Sequence, residues 1–128
     1  MYDQPRTVTH PLPGTEHDFG AGAGAVSFKG PKGKKGRIID VGVYVTETFT
    51  ADTTPGYVRV GTASDPDAYA QLQMDAAAIT DTWNTVDDPD AILNEALPAD
   101  TQIEVAFVAP TGGTPAGKGH PYIVVEWY

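Results

Sequence analysis

The chain contains no cysteine among its 128 residues. It therefore forms no disulfide framework, no thiolate metal site and no cysteine nucleophile. Serine is almost as scarce, because only Ser27 and Ser64 are present and neither lies in the Gly-x-Ser-x-Gly motif of serine hydrolases. We predict that the protein is not an enzyme, that it carries no cofactor, and that packing or subunit association stabilises it.

Long apolar runs are also missing from the sequence. The longest ones fall far short of a membrane span, and the N-terminus lacks the basic-then-apolar layout of a signal peptide. We expect a protein that is soluble and intracellular when it is made, without membrane contact.

Positive charge is scarce and unevenly placed. Eight Lys and Arg stand against seventeen Asp and Glu, for a formal net charge of −9. After Arg37 only Arg59 and Lys118 oppose the remaining carboxylates. An acidic domain repels phosphate backbones, and one short basic segment without aromatic platforms beside it is weak evidence for nucleic-acid binding. The sequence therefore predicts no nucleic-acid partner.

Glycine and proline, in contrast, are abundant. Fourteen Gly and eleven Pro favour short strands joined by turns, since both residues are costly inside helices. The length suits one domain. We predict an all-β, single-domain antiparallel β-sandwich over residues 25–128, of Ig-like or jelly-roll type.

Period-two alternation marks the strands. In residues 37–49 the odd positions are predicted to face the core, and they include Ile39, Val41, Val43, Val45 and Phe49. The turn at residues 52–56 predicts a hairpin with residues 57–61. Further strands are predicted at residues 69–74, 102–108 and 121–128. The apolar residues that alternate along these strands and along residues 57–61 are predicted to share the inward face: Val58, Val60, Leu72, Met74, Ile103, Val105, Phe107, Ile123, Val125 and Trp127. Residues 75–100 predict short strands and loops, with apolar anchors at Ile79, Trp83, Val86, Ile92, Leu93 and Leu97.

Residues 1–24 have few apolar side chains and end in a Gly-Ala-Gly-Ala-Gly run. Such a segment cannot bury enough surface to order alone. We predict an extended N-terminal arm with a flexible hinge, which orders against a partner.

The chemical motifs in the chain are incomplete. His10, His17 and His120 have no metal-ligand spacing and are predicted to be surface or loop residues. Acidic clusters at residues 65–67 and 87–90 lack the EF-hand pattern, so turn and capping roles explain them better than calcium binding. We predict no catalytic residues and no metal site.

Two phrases of the sequence resemble a known family. One runs from Leu-Pro-Ala-Asp-Thr at residues 97–101 through Thr-Gly-Gly-Thr-Pro-Ala-Gly at 111–117 to the terminal Trp-Tyr. The other runs from residue 48 to residue 63 and continues at residues 67–70. Together they cover about half of the chain, and they are similar to the trimeric head-decoration, or cement, proteins of tailed bacteriophages.

The resemblance implies a jelly-roll sandwich that binds the outer surface of a phage head as a homotrimer and stabilises the shell. The implied partner is the major capsid protein, and the implied location is the capsid exterior after synthesis in the host cytoplasm. Within this interpretation we expect capsid contacts from the arm and the basic segment. The candidate residues are Arg6, Phe19, Lys29, Lys32, Lys34, Lys35 and Arg37.

Aromatic residues support an alternative. The candidates for a sugar-stacking platform or for subunit-interface residues on the outer sheet are Tyr2, Phe19, Tyr44, Tyr57, Tyr69, Trp83 and Tyr122. Tyr44 and Tyr57 in particular have the polar parity of two strands predicted to be adjacent. The alternative function is therefore a glycan- or receptor-binding β-sandwich on a virion fibre or spike tip. A hydrolase is a third class, which a carboxyl group with a strongly raised pKa would indicate.

Overall fold

The computed structural model describes residues 6–75 and 77–128. Within these residues the chain forms ten β-strands and no helix, which confirms the all-β prediction. The strands are β1 (Arg6–Pro11), β2 (His17–Asp18), β3 (Gly24–Phe28), β4 (Gly36–Thr50), β5 (Tyr57–Gly61), β6 (Ala70–Gln73), β7 (Thr82–Trp83), β8 (Ala96–Leu97), β9 (Ile103–Val108) and β10 (Ala116–Trp127). No helix long and apolar enough to span a membrane occurs in these two ranges.

The ten strands form two antiparallel sheets. In sheet A the order is β1-β10-β4-β7, with β2 also paired to β10 and β8 also paired to β4. In sheet B the order is β3-β9-β5-β6. The last two strands of the chain therefore lie inside the sheets, each between two partners.

One hydrophobic core draws on both sheets. The inward positions predicted for β5, β6, β9 and β10 are confirmed, because Val58, Val60, Leu72, Met74, Ile103, Val105, Phe107, Ile123, Val125 and Trp127 are all buried. Full burial of one such side chain contributes about 1.5–3 kcal/mol. The core is apolar throughout, since no polar or charged residue of the described ranges is buried.

The start of β4 departs from the predicted alternation. Ile38 is 1% exposed and Ile39 is 43% exposed, so the prediction that Ile39 faces the core was wrong. The cause is a β-bulge: Val124 pairs with Asp40 and Val125 pairs with Ile38, which leaves Ile39 as an extra residue. Beyond an extra residue, the side chains that would face the core face solvent, and the reverse, so odd residues face the core on one side of the bulge and even residues on the other.

The predicted hairpin at residues 52–56 was also wrong. These residues carry the chain from β4 in sheet A to β5 in sheet B. A second crossing joins β9 to β10, and the two crossings meet where Thr54 pairs with Thr111. Their hydroxyl groups lie 2.5 Å apart. A Pro-Gly turn is compatible with a hairpin within one sheet and with a connection between two sheets. Here it connects sheet A to sheet B.

Residues 6–24 are built into the sandwich, so the prediction of an extended arm was wrong for this range. All six residues of β1 pair with β10, from Arg6 opposite Trp127 to Pro11 opposite Tyr122. Leu12 is 5% exposed and Phe19 is 0% exposed. The rest of the predicted arm, residues 1–5, lies outside the described residues.

Residues 77–97, which we call the edge cover, run along β4 and close that side of the sandwich. Phe49 donates its N–H to the Ala77 carbonyl at 2.8 Å, and Gln71 of β6 donates to the Ala91 carbonyl at 2.8 Å. The predicted short strands are present as β7 and β8. Of the predicted anchors, Leu97 is buried, and Trp83 and Ile92 are half-buried. The predicted anchors Ile79, Val86 and Leu93 were wrong, since all three are exposed.

Candidate interaction surfaces

The basic segment forms a fixed loop at one end of sheet A. It joins β3 to β4 and rests on the indole ring of Trp127, where a Cβ on Gly30 would lie 2.2 Å from Cζ3. Lys35 and Tyr128 exchange two backbone hydrogen bonds of 2.9 Å, and Gly33 donates its N–H to Asp100 Oδ1 at 2.8 Å. The loop is therefore held at its base by backbone contacts.

Most of the predicted cationic residues meet at this end, which we call the basic end. Arg6 lies there because it pairs with Trp127, and Arg37 lies there because it pairs with Glu126. Arg37 forms an ion pair with Glu126 at 3.1 Å. The lysines of the loop are Lys29, Lys32 and Lys35, which are exposed, and Lys34, which is half-buried.

Phe19 does not belong to this surface. Its side chain is 0% exposed and lies 5.0 Å from the Phe49 ring and 5.7 Å from the Phe107 ring, measured between centroids. Its prediction as a capsid contact was therefore wrong in this fold. In the sequence Phe19 stands beside a glycine-rich run and resembles an exposed anchor residue. The sequence does not indicate its burial, because its core partners Phe49 and Phe107 are distant along the chain.

Tyr44 and Tyr57 lie in different sheets, so the predicted adjacency of their strands was wrong. Tyr44 is 46% exposed on the outer face of sheet A. Tyr57 is half-buried on sheet B, with the Arg59 guanidinium 5.0 Å from its ring centroid. The two tyrosines cannot form one platform.

Tyr44 instead groups with Tyr122, another of the predicted aromatic candidates, and with His120, which the sequence did not indicate. The Tyr44 ring centroid lies 6.5 Å from that of His120, the residue opposite it on β10. Two pairs further along, on the same face, Tyr122 covers Gly42, where a Cβ would clash with the phenol oxygen. We call Tyr44, His120 and Tyr122 the outer aromatic cluster. No periodicity predicts it, because it depends on the register of β4 and β10.

Polar groups hold the Tyr122 ring in place. Its hydroxyl donates to Asp40 Oδ2 at 3.0 Å, and the Thr85 hydroxyl donates to Asp40 Oδ1 at 2.9 Å. Burial raises the pKa of Tyr122 above its ordinary value of 10.0, and the negative charge of Asp40 contributes in the same direction. The phenol therefore stays a neutral donor at physiological pH.

Two of the three histidines lie at the sheet edges with their rings between the sheets. His10 and His17 are half-buried, which makes the prediction of surface histidines wrong for both. His120 is exposed, as predicted. His10 contacts Phe28 and Trp127, whereas His17 contacts Phe19 and Phe107.

The acidic clusters act locally within turns. Asp87 Oδ2 accepts the Asn84 N–H at 3.0 Å, and Asp88 Oδ2 accepts the Gln73 N–H at 3.0 Å. Among the residues that the structure describes, no group of three or more His, Asp or Glu side chains is placed to hold a metal ion.

Comparison of the chain with known protein families, with curated proteins and with solved structures gave no match.

Proposed function

We propose that the protein is a capsid decoration protein, a jelly-roll β-sandwich without enzymatic activity. In this proposal it binds the outer surface of a phage head as a homotrimer and stabilises the shell. The support comes from the two sequence phrases that resemble cement proteins and from the two antiparallel sheets in which those phrases lie. Packed DNA pushes capsid subunits apart, and a rigid body attached to several of them opposes this separation.

The basic end is the observation that carries the proposed attachment. It concentrates Arg6, the loop lysines and Arg37 on a molecule whose net charge is −9. We assign it to contact with acidic groups of the major capsid protein. In a trimer the three copies bind the capsid together. Once one copy is bound, the contacts of the other two form within the same complex, so modest single contacts give a high combined affinity.

Cosedimentation with capsids stripped of accessory proteins tests this function. The wild-type chain should bind saturably, at a fixed ratio to the major capsid protein. A variant with Lys29, Lys32 and Lys35 changed to Gln should bind at least tenfold more weakly. Deleting residues 1–24 is a poor test, because it removes β1 and Phe19 from the fold.

The control variant matches the change in net charge at three exposed positions away from the basic end. It carries Val86→Glu, Leu93→Glu and Thr114→Glu. Wild-type binding by this control, with weak binding by the lysine variant, supports the proposal. Equal losses in both variants would contradict the assignment to the basic end, and no binding by the wild-type chain would contradict the decoration function itself.

The outer aromatic cluster favours a second candidate function, glycan binding. Exposed Tyr44 and His120 lie beside a fixed Tyr122 ring and the carboxylate of Asp40, and sugars bind by stacking on such rings and hydrogen bonding to such acceptors. A glycan array probed with wild-type protein and with Tyr44→Ala decides between the two functions. Selective binding that Tyr44→Ala abolishes supports this candidate, and an array without selective binding excludes it.

A further inference from the structure

One side of the sandwich brings together the end strands of both sheets, β1 in sheet A and β3 in sheet B. The imidazole ring of His10 on β1 stacks on the ring of Phe28 on β3, with centroids 4.6 Å apart and planes at 18°. It also meets the edge of Trp127 at 6.3 Å. His10 Nε2 is buried and has no hydrogen-bond partner among the described residues.

A second imidazole repeats this arrangement next to β2. The His17 ring lies 4.7 Å from the Phe19 ring and 4.8 Å from the Phe107 ring. Gly24 on β3 makes room for it, since a Cβ there would lie 2.8 Å from His17 Cε1. His17 Nε2 is likewise buried without a partner in the described part of the chain. Both rings therefore attach the same N-terminal segment to sheet B.

The surroundings of the two rings offer no anion. The inward positions of β3, β9 and β10 are glycine, proline, aliphatic or aromatic residues. The charged or titratable residues of the packed elements are Arg6 on β1, Glu16 before β2, Asp18 on β2, Lys29 after β3, Glu104 on β9, and Lys118, His120, Tyr122 and Glu126 on β10. Glu16 is exposed and accepts the Thr46 hydroxyl at 2.6 Å, and Tyr122 donates its hydroxyl to Asp40. Glu104, Lys118, His120 and Glu126 alternate with the buried residues of their strands and face outward.

The remaining charges do not compensate a protonated imidazole either. Arg6 shares the His10 side of β1 but is itself a cation. The Asp18 carboxylate accepts the Ala21 N–H at 3.1 Å and lies 3.9 Å from Lys118 Nζ. An imidazolium buried without a partner is unfavourable. Consistent with this, burial lowers the pKa of His10 below its ordinary value of 6.5.

We propose that residues 6–20 form a strap that acid releases: protonation of His10, whose ring packs against Phe28 and Trp127, detaches β1 and β2 while β4, β10 and sheet B stay folded. The strap is suited to local opening because β1 ends its sheet and β2 has two residues. Release exposes Phe19 together with the β10 edge. The device is independent of the capsid and glycan proposals.

The direction of the pH effect follows from linkage. A released His10 has the ordinary pKa of 6.5 and binds protons more tightly than the packed His10, whose pKa is lowered. The strap is therefore fully closed above pH 6.5 and loosens as the pH falls toward the pKa of the packed residue. Each unit between the two pKa values shifts the opening equilibrium by about tenfold.

Amide hydrogen exchange followed by NMR tests the strap, with rates corrected for the intrinsic pH dependence of exchange. Between pH 7.5 and pH 5.0 the protection factors of Val8 and Leu12, whose N–H groups face β10, should fall several-fold, while those of Val105 and Val58 in sheet B stay within twofold. The double variant His10→Phe/His17→Phe replaces both imidazoles with phenyl rings and keeps aromatic packing, so its β1 protection should not change with pH. His120→Gln, at the exposed histidine, should behave as wild type.

Three outcomes would overturn the proposal: constant β1 protection across this pH range, an equal fall in the double variant, or an equal fall in sheet B. If the double variant does not fold, the wild-type protein still decides. The His10 ring resonances should then titrate with a midpoint below 6.5 that coincides with the loss of β1 protection. A His10 midpoint at or above 6.5 would contradict the strap.

Discussion

Single residues on the outer face of sheet A depend on partners in the neighbouring strand. Tyr122 of β10 covers Gly42 of β4 and reaches Asp40 with its hydroxyl. Glycine is needed at residue 42 because the ring occupies the space of a side chain. The pair thus supports both the register of two strands and the direction of a half-buried ring.

Gly42→Ala should displace the Tyr122 ring, since the new Cβ would lie 2.4 Å from the phenol oxygen. We expect a loss of about 1–3 kcal/mol in the free energy of unfolding, measured with urea. Loss of burial should also return the pKa of Tyr122 toward 10.0 in an absorbance titration. In a double-mutant cycle with Tyr122→Ala, costs that add to within about 0.5 kcal/mol would mean that the contact is unimportant.

Ile38 and Ile39 provide a matched pair on the two faces of β4. Because Ile38 is 1% exposed, Ile38→Ala should lower the free energy of unfolding by about 2–5 kcal/mol. Because Ile39 is 43% exposed, Ile39→Ala should change it by about 0.5 kcal/mol or less. Thermal and urea unfolding of both variants measure the difference. The reverse order of costs would place the β-bulge elsewhere.

Among the elements, β1 is attached to the sandwich by its backbone pairing and by only a few apolar residues of the segment that follows it. The β1 backbone pairs along its whole length with β10, and Leu12 and Phe19 then enter the core. Pairing with a strand that is already ordered supplies backbone hydrogen bonds, so composition alone underestimated the order of this segment.

Phe19→Ala should cost about 3–5 kcal/mol of unfolding free energy, the usual range for a buried phenylalanine. A flexible arm would give a cost near zero. The exposed Tyr44→Ala provides the comparison and should cost much less. Urea unfolding at pH 7.5, where the strap is closed, measures both. A cost for Phe19→Ala no larger than that for Tyr44→Ala would contradict the packing of the N-terminal segment.

For the whole molecule, the sequence predicted the class of fold and most inward positions, but not the connections. Alternation in β9 and β10 was reliable because each strand is half-buried along its length. It failed in β4, where a bulge shifts the parity at Ile39. The turn after β4 contains no information on which layer the chain enters next. Pairing between distant strands decides both questions.

The candidate surfaces were predictable to different degrees for the same reason. The lysines of the basic end adjoin one another in sequence, so their cluster was evident before the fold was known. Arg6 joins them through the pairing of β1 with β10. The outer aromatic cluster needs residues from β4 and β10, more than seventy positions apart, and local patterns do not reveal such contacts.

The central places of β9 and β10 also set the order of events during synthesis. β10 separates β1 from β4, and β9 separates β3 from β5. The pairs of β5 with β6 and of β4 with β7 lie within the earlier part of the chain, but neither sheet is complete until residues 103–127 have been translated. Until then the apolar face of β4 lacks its partner β10 and is open to aggregation. Completion of both sheets is thus set by β9 and β10, which come last among the described strands.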